Sequence, residues 1–489
     1  MRQVQSRQLQ IGEVDIGSIE LDHRSRDDIP QILLGLQHLY LNAEARDLVF
    51  SLLEQAVPEN ISPDRGRPGM QLWKILVLGV LRLNLDWNYD RLREMANQHA
   101  TIRAMLGHGM YDLYEYKLQT IKDNVSLLTP ELLNQINEVV VAEGHKIVGK
   151  KKEDPLRGRC DSYVLETDVH FPTDLNLLFD AVRTVVVLTA RFAARAEVSG
   201  WRQWQYNLNQ LKKMYRRVQI LRHSTSKDPA KKLQRDKEIR QACQNYLNGS
   251  QALINRAEET LQDKAFITIC PANKYSSIQK FIDHGKRQVD HVKRRLIDHE
   301  KIPHDEKVFS LFQPHTEWIN KGKAGVPVEL GVRLAIVEDQ YGFILNHRVM
   351  EKETDEKAAV PIIRATKAAF PSLSVCSFDK GFHSPSNQKD LLKYLTIVVS
   401  PKKGRRTRAE QERENDPEFK AAKRKHSAVE SAINALESHG LDKCADHGID
   451  GLKRYVALGV LARNFQKMGA ELQKIERKSA KKRQLRLCG

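Results

Sequence analysis

The strand-patterned parts of this chain are split by a long stretch that has no strand pattern. Residues 175–303 read as a series of long, charged helices, among them LNQLKKMYRRVQILRH, KKLQRDKEIRQACQNYL and IQKFIDHGKRQVDHVKRRLIDHE. A strand-like run, CDSYVLETDVHFP, begins just ahead of them at Cys160. Strand patterns resume only from Glu306, with KVFSLF, VELGVRLAIVE and GFILNHRVM, then LSVCSFD (373–379) and LTIVVSP. Alternating or short continuous apolar runs mark strands, whereas a 3.6-residue period marks helices. Any sheet that uses the first run must therefore close across the whole helical insertion. Asp339–Gly342 turns two of the later strands into a hairpin. Asp355–Phe370 reads as a helix, SPSNQKDLLKYL as a second one capped near Ser384 or Ser386, and Ala428–Leu436 as a third. Asp174 is placed to cap the helix that starts near Leu175. Hairpin, helix, strand, helix, strand, helix describes a mixed α/β sheet flanked by helices.

Upstream, a helix is expected near Ala43–Ala56, followed by SPDRGRPG (62–69), a Pro/Gly/Arg hinge. Leu72, Ile75, Leu76 and Leu83 then fall at helical spacing. Asn84–Tyr89 reads as a turn, a second helix carries Leu92, Met95 and Ala96 on one face, and a third starts near Thr101. Short helices entered through a basic segment suit a helix-turn-helix-like unit, and an ordinary helical bundle has the same pattern.

A length of 489 residues implies two or three domains. The 41% hydrophobic content excludes a disordered chain. The 79 Lys and Arg outnumber 62 Asp and Glu, a net charge of +17. Such an excess points to a polyanion, usually nucleic acid, although ribosome association or solubility alone reads the same way. No apolar run approaches the roughly 20 residues of a membrane helix, and MRQVQSRQLQ lacks the apolar core of a signal peptide. The six cysteines are scattered without a CxxC pair, which argues against a disulfide framework or zinc site and for a reduced, cytosolic compartment.

Three acids stand where such a sheet can gather them. Asp161 is on the first strand, Asp379 ends a buried strand just before Lys380–Gly381, and Glu430 is on a helix able to pack over the sheet. Sites in open α/β sheets collect at the carboxyl ends of strands. Converging carboxylates repel one another, and divalent cations relieve that repulsion. Mg²⁺ takes oxygen ligands and keeps several waters, so three carboxylates suffice. Two such ions about 3.5–4 Å apart activate a nucleophile and stabilise a leaving oxygen in phosphodiester cleavage. Among 62 acids many triplets exist, and any one acid is more often a cap, a surface charge or half of an ion pair.

The strings around these acids are more specific. CDSYVLETDVHFPTD (160–174), HTEWINKGKAGVPVELGVRLAIVEDQYGFIL (315–345), SFDKGFHS (377–384) and KHSAVESAINALESHGLDKCADHGIDGLKRYVALGVLARNFQKMG (425–469) resemble, in order, the acid motifs and strands of DDE transposases of bacterial insertion sequences, particularly the ISNCY-like group. RGRPGMQLWKILVLGVLRLNLDWNYDRLREMA (65–96) is similar to their N-terminal helical domain. The resemblance covers most of the chain outside 175–303. It implies an α/β fold with an RNase H-like catalytic core, a mixed sheet, a large helical insertion and an N-terminal all-α domain. The implied division is an N-terminal segment (1–60), a helical DNA-binding domain (61–145), a catalytic domain (146–470) with the insertion at about 175–303, and a basic tail (471–489). It further implies that Asp161, Asp379 and Glu430 bind two Mg²⁺ ions, with Mn²⁺ as a substitute. The reaction would be hydrolysis at element ends, then attack of the freed 3′-hydroxyl on target DNA. The partner would be double-stranded DNA, bound by a homodimer or higher oligomer associated with the bacterial nucleoid.

Asp168 departs from the family pattern, which has a neutral residue there. It is a rival first acid, a group supporting that acid, or a loop residue. Asp161 and Glu166 point to opposite faces of a straight strand. Lys321, Lys323, Lys380, Lys402, Lys403, Arg405 and Arg406 are candidates for contact with DNA phosphate, with a plain surface role as the alternative for each. His426 and Asn434 flank Glu430 at helical spacing and share its face. The helical insertion suits a grip on DNA or on a partner subunit. A tyrosine recombinase would need an HxxR set suitably ahead of Tyr455, and a paired-histidine nuclease would need His-x-His; neither is present. A transposase-derived, non-catalytic DNA-binding regulator and a nuclease without strand transfer remain as rival readings.

Overall fold

The computed structural model describes residues 3–5, 12–57, 69–223, 228–320 and 327–487. It clusters into two compact units: Met1–Asp168 together with Glu317–Gly489, and Val169–Thr316. The hinge expected at 62–69 lies outside the described residues, apart from Gly69.

The first unit opens with helices α1 (Asp28–Leu41), α2 (Ala43–Glu54), α3 (Leu72–Asn84), α4 (Tyr89–Gln98), α5 (Ala100–Met105), α6 (Leu118–Val125) and α7 (Pro130–Ile147). Strand β1 (Leu156–Thr167) follows. The second unit then supplies α8 (Asp174–Arg195), α9 (Trp204–His223), α10 (Pro229–Leu261), α11 (Lys264–Ile269) and α12 (Ala272–Leu296). The chain returns to the first unit with β2 (Glu317–Asn320), β3 (Val328–Glu338), β4 (Ile344–Met350), α13 (Asp355–Ala369), β5 (Leu373–Phe378), α14 (Pro385–Leu391) and β6 (Ile397–Val399). It ends with α15 (Arg408–Asn415), α16 (Pro417–His426), α17 (Ala428–Leu436), β7 (Lys443–Cys444) and α18 (Gly448–Leu487). The residues expected to form a tail from 471 continue α18 through Leu487.

The protein is an α/β molecule with one mixed, open sheet of seven described strands. Antiparallel pairing sets Asp161 opposite Ile336 and Glu166 opposite Gly331. The far edge of β3 carries β2, with Glu317 also opposite Gly331, and β4. The other edge of β1 carries β5 in parallel up to the pair Cys160–Phe378, and β7 in parallel at Glu166 and Thr167. β6 extends the sheet in parallel beyond β5. A Cβ at Gly331 would lie 2.1 Å from the Leu165 carbonyl oxygen, so the crowded middle of this ladder accepts only glycine.

The helices before β1 share the core of the sheet. α3 is buried at every position except Lys74, because its apolar residues occupy all faces rather than one stripe. It is therefore a core helix, as in a bundle. α18 packs beside it and crosses α1 closely. A Cβ at Gly35 would stand 2.4 Å from the Phe465 carbonyl oxygen, and one at Gly469 would stand 1.8 Å from that of Gln31. Arg82 is the buried charge of α3, and it pairs with Asp446 through two contacts of 2.7 and 3.3 Å. Buried Asn464 of α18 accepts from the Ile344 amide (2.9 Å) and donates to its carbonyl (2.8 Å), pinning β4 to the helices.

The insertion has its own core, built around Val182, Val185, Tyr246, Ile254 and Ile282. It spans Val169–Thr316 rather than 175–303. Thr173, not Asp174, caps α8, by accepting from the Asn176 amide; Asp174 lies in the first turn and pairs with Arg295 at 2.6 Å. KVFSLF forms no strand, because Leu311 is used instead to pack against Leu177 and Ala181 of α8. The five described cysteines are free and buried. No helix among the described residues is long and apolar enough to cross a membrane.

Candidate active site

The site begins with a gap in the sheet. β5 stops pairing with β1 at Cys160, and β7 starts only at Glu166. Residues 161–165 of β1 therefore have no strand on that edge among the described residues. Asp161 is the first residue in the gap. Asp379 is the first residue after β5, one step beyond the Cys160–Phe378 pair. In parallel neighbours about 4.8 Å apart, this register puts the two acids beside one another at the mouth of the notch.

Glu430 comes from above. α16 and α17 are separated only by Ser427, whose backbone is also helical (φ −57°, ψ −18°). His426, Glu430 and Asn434 thus keep helical phase along a nearly continuous rod. Glu430 and Asn434 are exposed one turn apart, and the Asn434 carbonyl accepts from the Ser438 hydroxyl at 2.8 Å. His426 lies lower. Its Nδ1 is 3.0 Å from Ser377 Oγ on β5, two residues before Asp379. Its Nε2 is buried without a partner. Burial lowers the His426 pKa, against the raising influence of Asp379 and Glu430.

A fourth carboxylate joins these. Asp355, in the first turn of α13, accepts from the Ser162 hydroxyl at 2.7 Å. Its other oxygen would be 2.9 Å from a Cβ on Gly381. The glycine after Asp379–Lys380 therefore lets the Asp355 carboxylate approach the turn that carries the second acid. Asp379 itself caps that turn through the Gly381 amide. Sequence reasoning missed Asp355, because an acid opening a helix reads as an ordinary partner of the helix dipole.

The electrostatics tie the acids together. Burial, followed by the charges of Asp379, Asp355 and Glu430, pushes the Asp161 carboxyl up to about 6, although the Ser162 amide donates to it at 2.7 Å. Asp161 thus feels three other carboxylates across the notch. All donors in this set are oxygens, which fits Mg²⁺ or Mn²⁺ and not a soft metal. Among the described residues, no three His, Cys, Asp or Glu side chains are close enough together to form a finished metal cage. The four carboxylates act on one another through charge without converging on a common ligand point.

Asp168 is not brought to these acids. It lies seven residues past Asp161, about 23 Å along an extended strand, and its exposed carboxylate pairs with Lys443 at 2.7 Å. Lys402 and Arg406 are held by α15, paired with Glu410 and Glu414 at 2.9 Å each. The Lys402 partnership, with the Thr407 amide, pushes the Glu410 carboxyl down to about 2. Lys380, Lys403 and Arg405 are exposed and have no described carboxylate within 4 Å. Lys321 and Lys323 lie outside the described residues. Under the site, Arg159 bridges Glu338 (3.0 Å) and the Asp339 carbonyl, and the Glu338 carboxyl is pushed up to about 7 by burial.

No family model matches the chain, and no curated protein or solved structure matches it.

Proposed function

We propose that this protein is a DDE-type transposase of a bacterial insertion sequence, with an RNase H-like core that cuts DNA strands and joins them to target DNA. The observation that carries the reading is the parallel register of β1 and β5, which sets Asp161 and Asp379 side by side at an open notch faced by Glu430. The strand order also supports it: three antiparallel strands, β4, β3 and β1, followed by two parallel ones, β5 and β6.

In this reading Asp161, Asp379 and Glu430 supply the oxygen ligands. Two Mg²⁺ ions, or Mn²⁺ in their place, would provide activation of the attacking oxygen and stabilisation of the leaving one. Ser162 and Asp355 hold the first acid's strand against the turn bearing the second. His426, bonded to Ser377, fixes the rod that presents Glu430 over β5. Exposed Lys380, Lys403 and Arg405 contact backbone phosphate around the scissile bond. Joining two element ends to double-stranded target DNA calls for a dimer or larger assembly working at the nucleoid.

The test is cleavage, with Mg²⁺, of a plasmid carrying the DNA that flanks the gene. Wild-type protein should cut at the element ends and join the freed 3′ ends to a second plasmid. Asp379→Ala should do neither while still binding the ends. Equal cutting by the variant would refute the acid assignment, and cutting without joining would make the protein a nuclease.

A further inference from the structure

The basic excess of this chain is concentrated in one place. Residues 212–240 contain eleven Lys and Arg against three Asp and Glu, which is eight of the net +17 in a short stretch of the insertion. This stretch is the distal half of a helical hairpin formed by α9 and α10. The first fourteen residues of α10, Pro229–Ala242, include no buried residue; burial begins at Cys243. Over the same stretch α9 buries only Val218 and Leu221. Here Val218, Tyr215, Ile239 and Ala242 still reach the insertion's core, with Tyr215 stacked on Phe179 of α8, while the cations lie on the exposed faces of the two helices.

Part of the positive charge in the body of the same unit is neutralised by ion pairs. Arg294 meets Asp290, Glu300 and Glu306 within 3.2 Å, Lys286 meets Glu258 at 2.5 Å, and Arg183 meets Asp180 at 3.2 Å. In the arm, Arg217 meets Glu238 at 3.8 Å. Lys212, Lys213, Arg216, Arg222, Lys231 and Lys232 are exposed with no described carboxylate within 4 Å. Lys212 and Arg216 also stand one helical turn apart, as do Lys213 and Arg217, a spacing at which like charges destabilise a helix. A solvated helix face that serves only solubility mixes both signs. An arm that accumulates one sign, against its own stability, matches a partner of the opposite sign and dense charge.

We propose that the distal α9–α10 hairpin is a DNA-binding arm that grips the phosphate backbone of a duplex outside the cleavage site, without reading sequence. The proposal rests on the transposase reading and assigns the insertion its role within it. Double-stranded DNA carries one charge per about 1.7 Å, and each helix offers its cations over roughly 15 Å at about 1.5 Å per residue. Arg and Lys heads on two adjacent helices can therefore engage several phosphates at once.

The experiment compares full-length protein with a variant carrying Lys213→Gln, Arg216→Gln, Lys231→Gln and Lys232→Gln. Binding to a random-sequence duplex of about 30 base pairs is followed by fluorescence anisotropy across salt concentrations. Each lost phosphate contact removes about 0.9 from the log–log salt slope. The variant should show a slope shallower by about 3–4 and at least tenfold weaker binding near 100 mM salt, with an unchanged circular dichroism spectrum and cleavage still arrested by Asp379→Ala. An unchanged slope and affinity would overturn the arm while leaving the transposase reading intact. Failure of the wild-type protein to bind any duplex would overturn both. Binding that shifts instead to vesicles containing phosphatidylserine, with the same four residues required, would replace DNA by a membrane surface and also overturn it.

Discussion

Asp161→Asn should stabilise the metal-free protein at the same time as it abolishes strand cleavage. Asp161 sits in a notch where burial and three other carboxylates raise its pKa from 3.8 to about 6. At about 1.4 kcal/mol per pH unit, the ionised form is disfavoured in the folded state by about 3 kcal/mol at most; Asp379 and Glu430 are exposed, so solvent screening reduces this. A carboxyl with a raised folded pKa binds its proton more tightly folded than unfolded. Stability therefore falls as pH rises from 3.8 through 6, and the whole penalty is present above that window. Asparagine removes the charge and can still accept the Ser162 amide. For a cooperative unit of about 340 residues, 3 kcal/mol corresponds to a rise in Tm of about 4 °C. Differential scanning calorimetry in EDTA, on wild type and variant at pH 8.0 and pH 4.0, reads the effect. The variant should melt higher at pH 8.0, and the gap should close at pH 4.0. Added Mg²⁺ should raise the Tm of the wild type more than that of the variant. A variant less stable at pH 8.0, or a gap independent of pH, would refute the claim that the acids strain one another.

Two further outcomes follow from the packing. Gly469→Ala should destabilise the first unit by about 2 kcal/mol or more, as overpacked positions do, because its Cβ would fall 1.8 Å from the Gln31 carbonyl oxygen; urea unfolding measures it, and a near-neutral result would mean that α1 and α18 separate freely. Replacing 169–316 with a flexible linker of about eight residues should leave a folded, cooperatively melting core, since Glu166 and Glu317 both face Gly331 across single strand spacings and the two units have separate cores; an aggregated or molten product would show that the insertion is needed for folding.

How much of this was legible in the sequence depended on whether local pattern or long-range pairing decided the matter. VELGVRLAIVE became β3 with the expected bounds, the Asp339–Gly342 turn closed the hairpin, and Ala428–Leu436 became α17. Each carries its own periodicity and breakers. The choice between Asp161 and Asp168 was not local: it depended on the register of β1 against β5, a partner more than two hundred residues away. Asp355 was hidden because its role comes from Ser162 and Gly381, which are distant in sequence. Lys402 and Arg406 looked available because their partners, Glu410 and Glu414, face them only after the loop folds back on α15. KVFSLF had strand composition, but packing of Leu311 on α8 overrode it.

The split of β1 from its partners also sets a clock. A ribosome adds about 5–20 residues per second, so roughly 15–50 s separate the synthesis of Asp161 from that of Glu430. During that interval the insertion, with its separate core, is complete in chain order, while the strand bearing the first acid waits for β3 and β5. The glycine contact between α1 and α18 closes later still, when Gly469 reaches Gln31. An interrupted translation product thus lacks the third acid and leaves the α1 seam open. On the proposed transposase reading, strand-cutting chemistry would be confined to chains that have been read almost to the last helix.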